Sequence, residues 1–179
     1  MTSPDPGSIR GISREKLTVR WDLRPGDVGS VISLHGAVYA EEFGYNLEFE
    51  GYVADTFREF TRIYHPGKDR LWLVELGGWT VGSIAALGRS PGEAQLRWFL
   101  LHPACRGLGL GGEMLRRALR FCRERRYRRV YLLTTSDQRK ASAMYARAGF
   151  RKTEQKPARM WGKELVEERW ELDLSDARA

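Results

Sequence analysis

Hydrophobic and polar positions along the chain switch repeatedly between two periods. Leu17-Thr18-Val19-Arg20-Trp21-Asp22-Leu23 alternates at period two and predicts a first strand ending at Pro25-Gly26. Asp27 caps the helix expected next, in which Val28, Val31, Ile32, His35, Val38 and Tyr39 recur at helical spacing until about Gly44. A second helix is predicted from about Leu47 to Ile63, with Phe49, Val53, Phe57 and Phe60 along one face, broken by His65-Pro66-Gly67. Arg70 to Glu75 and Trp79 to Leu87 read as a hairpin about Leu76-Gly77-Gly78, and Ala94 to Leu101 as the strand after Ser90-Pro91-Gly92. The pattern then gives a helix from Gly109 to Arg126 and a short apolar run, Val130 to Thr134, fit for a buried parallel strand. Thr135-Ser136-Asp137-Gln138 matches a capping box for a helix with Ala141, Met144, Tyr145 and Ala148 on its apolar face, ended by Gly149. Phe150 opens a further strand that Pro157 interrupts, and Val166 to Leu174 alternates again. The sum is an α/β architecture: a mixed sheet of about seven strands with helices on both faces.

One junction carries chemistry. The strand Arg97-Trp98-Phe99-Leu100-Leu101 turns through His102-Pro103 into Arg106-Gly107-Leu108-Gly109-Leu110-Gly111-Gly112, which opens a basic helix. Glycines there remove Cβ atoms that would keep a ligand from the backbone and allow successive N–H groups to converge on one anion. The unpaired amides and dipole of the helix's first turn favour a phosphate at the same place. Gly107 to Gly112 fits G-x-G-x-x-G, but the acidic residue that a dinucleotide fold needs about 20 positions later is replaced by Leu132-Leu133-Thr134. A P-loop is excluded because Glu113-Met114 stands where Lys-Ser/Thr would be. A glycine-rich helix start that binds nothing stays open, and a third frame is a diphosphate cradle of the form Arg/Gln-x-x-Gly-x-Gly/Ala, met by Arg106, Gly109 and Gly111.

This loop resembles the coenzyme A loop of the GNAT superfamily of acyl-CoA-dependent N-acyltransferases. About 40 residues later, Ala141-Ser142-Ala143-Met144-Tyr145-Ala146-Arg147-Ala148-Gly149-Phe150 resembles that superfamily's second signature, A-x-x-x-Y-x-x-x-G-F. The element order is similar to the GNAT fold, a seven-stranded, mostly antiparallel mixed sheet, over nearly all of Leu17 to Leu174. His35 to Tyr45 is also similar to the transferase half of proteins that fuse a GNAT domain to a MarR-type winged helix, although residues 1–16 are too short to hold a winged helix.

Composition narrows what surrounds this site. The 179 residues, 42% of them hydrophobic, suit one domain spanning 17–174, with a tether at 1–16 and a short tail at 175–179. No apolar run is long enough to span a membrane, and Cys105 and Cys122 have neither disulfide-framework nor zinc-site spacing, so no metal and a cytoplasmic location are expected. The formal charge of +7 leaves nucleic acid or a small anionic ligand as partners. Eight arginines between Arg116 and Arg129 could form a nucleic-acid surface or simply a solvated helix face.

The resemblance implies an acetyltransferase that takes acetyl-CoA as cosubstrate and a small amine or protein amine as acceptor. An amine with a pKa near 10 is only about one part in a thousand neutral at pH 7, so a base is needed; Glu42 is the expected one, with Glu41 and Glu75 as substitutes. Tyr145 matches the family's tyrosine that protonates the leaving thiolate. Phe99, Leu100 and Leu101 would lie along the pantetheine arm, with a main-chain N–H near Leu101 facing the carbonyl oxygen. Arg106, Gly107, Leu108, Gly109, Leu110, Gly111 and Gly112 would hold the diphosphate, the arginine-rich helix or Arg139-Lys140 the ribose phosphate, and Gln138 stands where the family carries an asparagine. Tyr39, Glu42, Phe43 and Tyr45 would shape an acid-lined acceptor pocket suited to a cationic amine. Pairing of the C-terminal strands, frequent in the superfamily, would make a homodimer. An acyl-CoA-binding domain without transferase activity is the further alternative.

Overall fold

The structure, a computed structural model, describes residues 12–175. Strands β1 (Leu17–Arg20), β2 (Arg70–Leu76), β3 (Trp79–Ser90), β4 (Glu93–Leu101), β5 (Arg129–Thr135), β6 (Arg151–Met160) and β7 (Lys163–Asp173) form one sheet in the order β1-β2-β3-β4-β5-β7-β6. Every pairing is antiparallel except β4 with β5. Helices α1 (Asp27–Phe43) and α2 (Leu47–Ile63) cover one face, while α3 (Leu110–Glu124) and α4 (Arg139–Arg147) cover the other.

Because successive strand residues point to opposite faces, a strand covered on both sides is apolar throughout. In β2, Leu71 and Leu73 pack toward α1 and α2 with Val53 and Phe57, whereas Trp72 and Val74 pack toward α3 with Met114 and Phe121. The helices show the complementary stripes. Phe49, Val53, Phe57 and Phe60 are the buried positions of α2, and Leu110, Met114, Leu115, Ala118, Leu119, Phe121 and Cys122 those of α3.

The feature that positions the site is the seam between β4 and β5. Pairing is confined to Glu93–Gln95 against Arg129–Tyr131, beyond which β4 stays with β3 and β5 with β7. The β3–β4 register slips between Ser83 and Ala85, which leaves Trp98 and Phe99 opposite the single residue Ile84. Trp98 takes a left-handed φ of +48°, a conformation that costs a bulky residue energy and is held here by its surroundings. Its carbonyl accepts the Ser83 hydroxyl at 2.6 Å, its indole N–H donates to Thr56 Oγ1 at 3.1 Å, and its ring stacks on Phe57 with centroids 3.7 Å apart. The bulge thus bends β4 away from β5 and opens a cleft through the sheet.

Four local expectations change. Asp27 is the first residue of α1, after Gly26, and instead of capping the helix it binds Arg20 and accepts the Arg24 amide at 2.7 Å. Thr135 closes β5 rather than capping α4; its hydroxyl donates to Asp137 Oδ1 at 2.8 Å, and the helix starts after Gln138 without a side-chain cap. Pro157 does not interrupt β6, because β6 is an edge strand and a missing N–H costs nothing on the open side. Residues 12–16, expected within the tether, dock on the fold: Ile12 packs against the α3-side core and Arg14 bonds Glu113 at 2.5 Å. Residues 1–11 of that tether and 176–179 of the tail lie outside the described residues.

Phe57 is fully buried and its ring supports the strained Trp98. Replacing it by Ala is expected to cost about 3–5 kcal/mol of unfolding free energy, read from urea midpoints at unchanged m-value.

Candidate active site

Two cavities meet in the cleft. The larger, about 630 Å³, runs from Gly107 and Gly111 past Phe99, Leu100 and Leu101 to Arg139, Lys140, Ala141 and Met144 on α4. The smaller, about 110 Å³, lies on the α2 side against Tyr52, Arg97, Trp98, Thr134, Trp161 and Glu167. Tyr39, Phe99, Gln138 and Tyr145 line both and form the wall where one space opens into the other.

The glycine loop is built for close approach. Gly107 and Gly109 have φ of +81° and +73°, which side chains rarely adopt, and α3 begins immediately afterwards with Leu110-Gly111-Gly112. Its first amides have no carbonyl partner inside the helix, and a negative group would complete them. Leu108 and Leu110 send their side chains into the α3-side core, so only their main chain is available to a ligand. Gly109 and Gly112 do not line the cavity, whereas Arg106, Gly107 and Gly111 do.

Arg106 is tied twice. Its Nε donates to Leu101 O at 2.9 Å, and Nη1 and Nη2 donate to the Glu42 carboxylate at 2.6 and 2.8 Å. Bidentate pairs of this kind are geometrically specific. Glu42 therefore stands on the wall of the larger cavity, engaged with the loop arginine. Glu75 is remote from both cavities and bonds Arg20 at 2.7 Å beside Asp27; Glu41 lines neither. The carboxylate that lines the smaller cavity is Glu167 on β7, opposite Thr135 and paired with Lys156 at 2.8 Å.

At the shared wall, the Tyr145 ring is buried and its hydroxyl has no hydrogen-bond partner among the described residues. Burial raises its pKa, with the neighbouring Tyr39 adding to the effect, so the phenol is neutral at pH 7. Tyr39 donates to Gln138 Oε1 at 3.2 Å, and Gln138 donates through Nε2 to Thr135 Oγ1 at 3.0 Å. Both polar ends of Gln138 are thus spoken for by protein. Tyr45 and Lys163 complete the network through Thr135 and Asp137. The acid-lined acceptor pocket is not what forms: Glu42 and Phe43 face the larger cavity, and Tyr45 is buried in the aromatic cluster behind.

Several residues of the smaller cavity escaped sequence reasoning. His35, read only as part of a helical stripe, is buried with Nδ1 2.8 Å from Val31 O and its ring stacked on Tyr39. Burial lowers its pKa to about 4, so the imidazole is neutral, with Nδ1–H donating and Nε2 left as an acceptor. Arg97 and Trp98 lie in β4, where Arg97 is the one cation, and that lone cation was the available signal. The arginines from Arg116 to Arg129, by contrast, are mostly solvent-exposed, several paired with Glu113, Glu124 or Glu171.

The pattern of the acetyltransferase (GNAT) family matches residues 37–150. The chain belongs to that family. Rat N-acetyltransferase 8F1 is 34% identical over 114 residues, covering 59% of this chain; the chain spans about half the length of the curated relatives it matches, 52% in this case. Among solved structures, an acetyltransferase from Streptococcus agalactiae superposes with a TM-score of 0.74 at 18% identity, over 89% of this chain and 99% of the other. The yncA protein of Salmonella typhimurium, solved with its cofactor acetyl-CoA, gives 0.68 at 17% identity, over 91% and 96% of the two chains. These likenesses establish the fold. No helix among the described residues is long and apolar enough to cross a membrane.

His35 makes stability pH-dependent. An unfolded histidine protonates near pH 6.5, whereas the folded one resists until about 4, so the unfolded state binds more protons in between and stability falls as pH drops through that window. Between pH 7 and 5 the wild-type chain should lose about 2 kcal/mol more than His35→Gln, measured by urea unfolding at both values.

Proposed function

We propose that the chain is an N-acetyltransferase that moves the acetyl group of acetyl-CoA to a primary amine by direct attack. The observation that carries this reading is the meeting of two cavities at an unpartnered, neutral tyrosine, one cavity ending on a glycine-lined helix start. Acetyl-CoA fits the larger cavity on three grounds: open amides at the start of α3 for the diphosphate, Arg106, Arg139 and Lys140 for phosphate charge, and an apolar wall of Phe99, Leu101 and Met144 for the pantetheine arm.

The cosubstrate supplies an acyl thioester. In the transfer an N–C bond forms and the C–S bond breaks; the amine loses one proton and the sulfur gains one. Tyr145 is the donor to sulfur, since a buried neutral phenol holds its proton until a thiolate develops beside it. Glu167 receives the amine proton, directly or through water, because it is the carboxylate lining the acceptor-side cavity. Main-chain N–H groups released by the bulge at Trp98–Phe99 are the donors for the carbonyl oxygen. Glu42, the expected base, acts instead as the counter-ion of Arg106 until a diphosphate takes its place, and Gln138 fixes the Tyr39 hydroxyl at the shared wall.

Thiol release on mixing protein, acetyl-CoA and an amine panel tests the activity; a domain that only binds acyl-CoA, or a nucleic-acid module, releases none. Tyr145→Phe should lower kcat about 100-fold or more while the calorimetric Kd for acetyl-CoA stays within about twofold. Glu167→Gln should lower the rate at pH 7 and recover part of it above pH 9, where more of the amine is already neutral. Glu42→Gln, by removing the carboxylate that competes for Arg106, should tighten acetyl-CoA binding roughly threefold or more with little change in kcat; unchanged affinity would contradict the counter-ion role.

A further inference from the structure

Several irregularities of the described residues gather in the smaller cavity. Of the three non-glycine residues with positive φ among those described, Trp98 and Trp161 both line it. Trp161 occupies the β6–β7 turn at φ +55° and packs its indole on Phe49 and Tyr52, with centroids 4.8 and 5.4 Å away. Strain of this kind persists where the surroundings enforce it and clusters at ligand sites. Thr134 is 6% exposed, and its Oγ1 is the one buried side-chain polar atom without a partner among the described residues; it too lines this cavity. A buried hydroxyl left unsatisfied is the exception in folded proteins and leaves polar capacity to spare in this lining.

Arg97 supplies the charge. It points from β4 into the cavity wall, donates from Nη2 to the Tyr52 hydroxyl at 2.8 Å, and lies 5.7 and 5.5 Å from the Tyr52 and Trp98 rings. No carboxylate among the described residues comes within ion-pair distance of it, in contrast to Arg20, Arg106 and Arg169, each paired with one or more. The only other charged group on the lining, Glu167, already shares its charge with Lys156, and His35 is neutral. The cavity therefore offers an uncompensated guanidinium, fitted to a bidentate anion, beside one carboxylate and an aromatic wall.

We propose that the acceptor is a zwitterionic amine of the amino-acid type, its carboxylate bound by Arg97 and Tyr52, its ammonium directed toward Glu167, and its side chain held against Trp161. This rests on the acetyltransferase reading and reverses the expectation of a purely cationic substrate. A polyamine or aminoglycoside would set its positive charge against Arg97. The nitrogen enters beside Glu167, loses its proton there and attacks at the shared wall, as described above for a generic amine.

The test is thiol release from acetyl-CoA with the common α-amino acids, their C-terminal amides, and the corresponding amines without the carboxylate, together with calorimetry of acetyl-CoA. At least one free amino acid should be turned over, with kcat/KM on the order of 10–100-fold above its amide and its decarboxylated amine. Arg97→Gln should erase that preference by raising KM for the acid alone, Arg97→Lys should restore part of it, and acetyl-CoA affinity should be unchanged in both, which also reports intact folding. Equal rates for acid and amide, turnover confined to amines without an anion, or no turnover of any amino acid by protein that binds acetyl-CoA overturns this proposal and leaves cofactor binding standing. Absence of acetyl-CoA binding overturns the acetyltransferase reading itself.

Discussion

The separation of β4 from β5 is the constraint on which the rest of the molecule depends. Parallel strands normally pair along their length, and these two pair over only three positions before parting. What holds them apart is an energetic expense concentrated on Trp98, whose positive φ is stabilised by the Ser83 hydroxyl, Thr56 and the ring of Phe57. Without that bulge the β4 and β5 edges would satisfy one another and no passage would join the two faces of the sheet. With it, the glycine loop on one side and the aromatic cavity on the other address the same four residues.

Much of the fold was legible because burial on both faces forces apolar strands and each helix needs one apolar stripe. The α2 stripe of Phe49, Val53, Phe57 and Phe60 and the Gly77-Gly78 hairpin turn are where spacing puts them. The backbone of the glycine loop was legible too, since Gly107 and Gly109 occupy conformations that favour glycine. Where local rules misled, tertiary context had the competing claim. Thr135 fits a capping box on paper, but its hydroxyl is used by Asp137, Gln138 and Tyr45. Pro157 looks like a strand breaker until the strand proves to be an edge.

The smaller cavity was not legible, for a reason of range. Arg97, Thr134, Trp161 and Glu167 come from three strands and a turn, and no local spacing relates them. Glu42 illustrates the same range: one turn beyond Tyr39, it has the sequence position expected of the base, and the partner that holds it in the structure, Arg106, is 64 residues away. Electrostatic roles are assigned by such long-range partners. The same feature sorts the two cavities, since the larger concentrates cations around open amides and the smaller sets one guanidinium beside a single, already shared carboxylate.

The most direct measurement of the central claim is amide hydrogen exchange with and without acetyl-CoA. If the cofactor binds along the opened seam, protection should rise in residues 98–101 and 106–113 together and stay unchanged across residues 116–129, the arginine-rich face. Protection confined to that face, or none in either seam segment at saturating acetyl-CoA, would contradict the account.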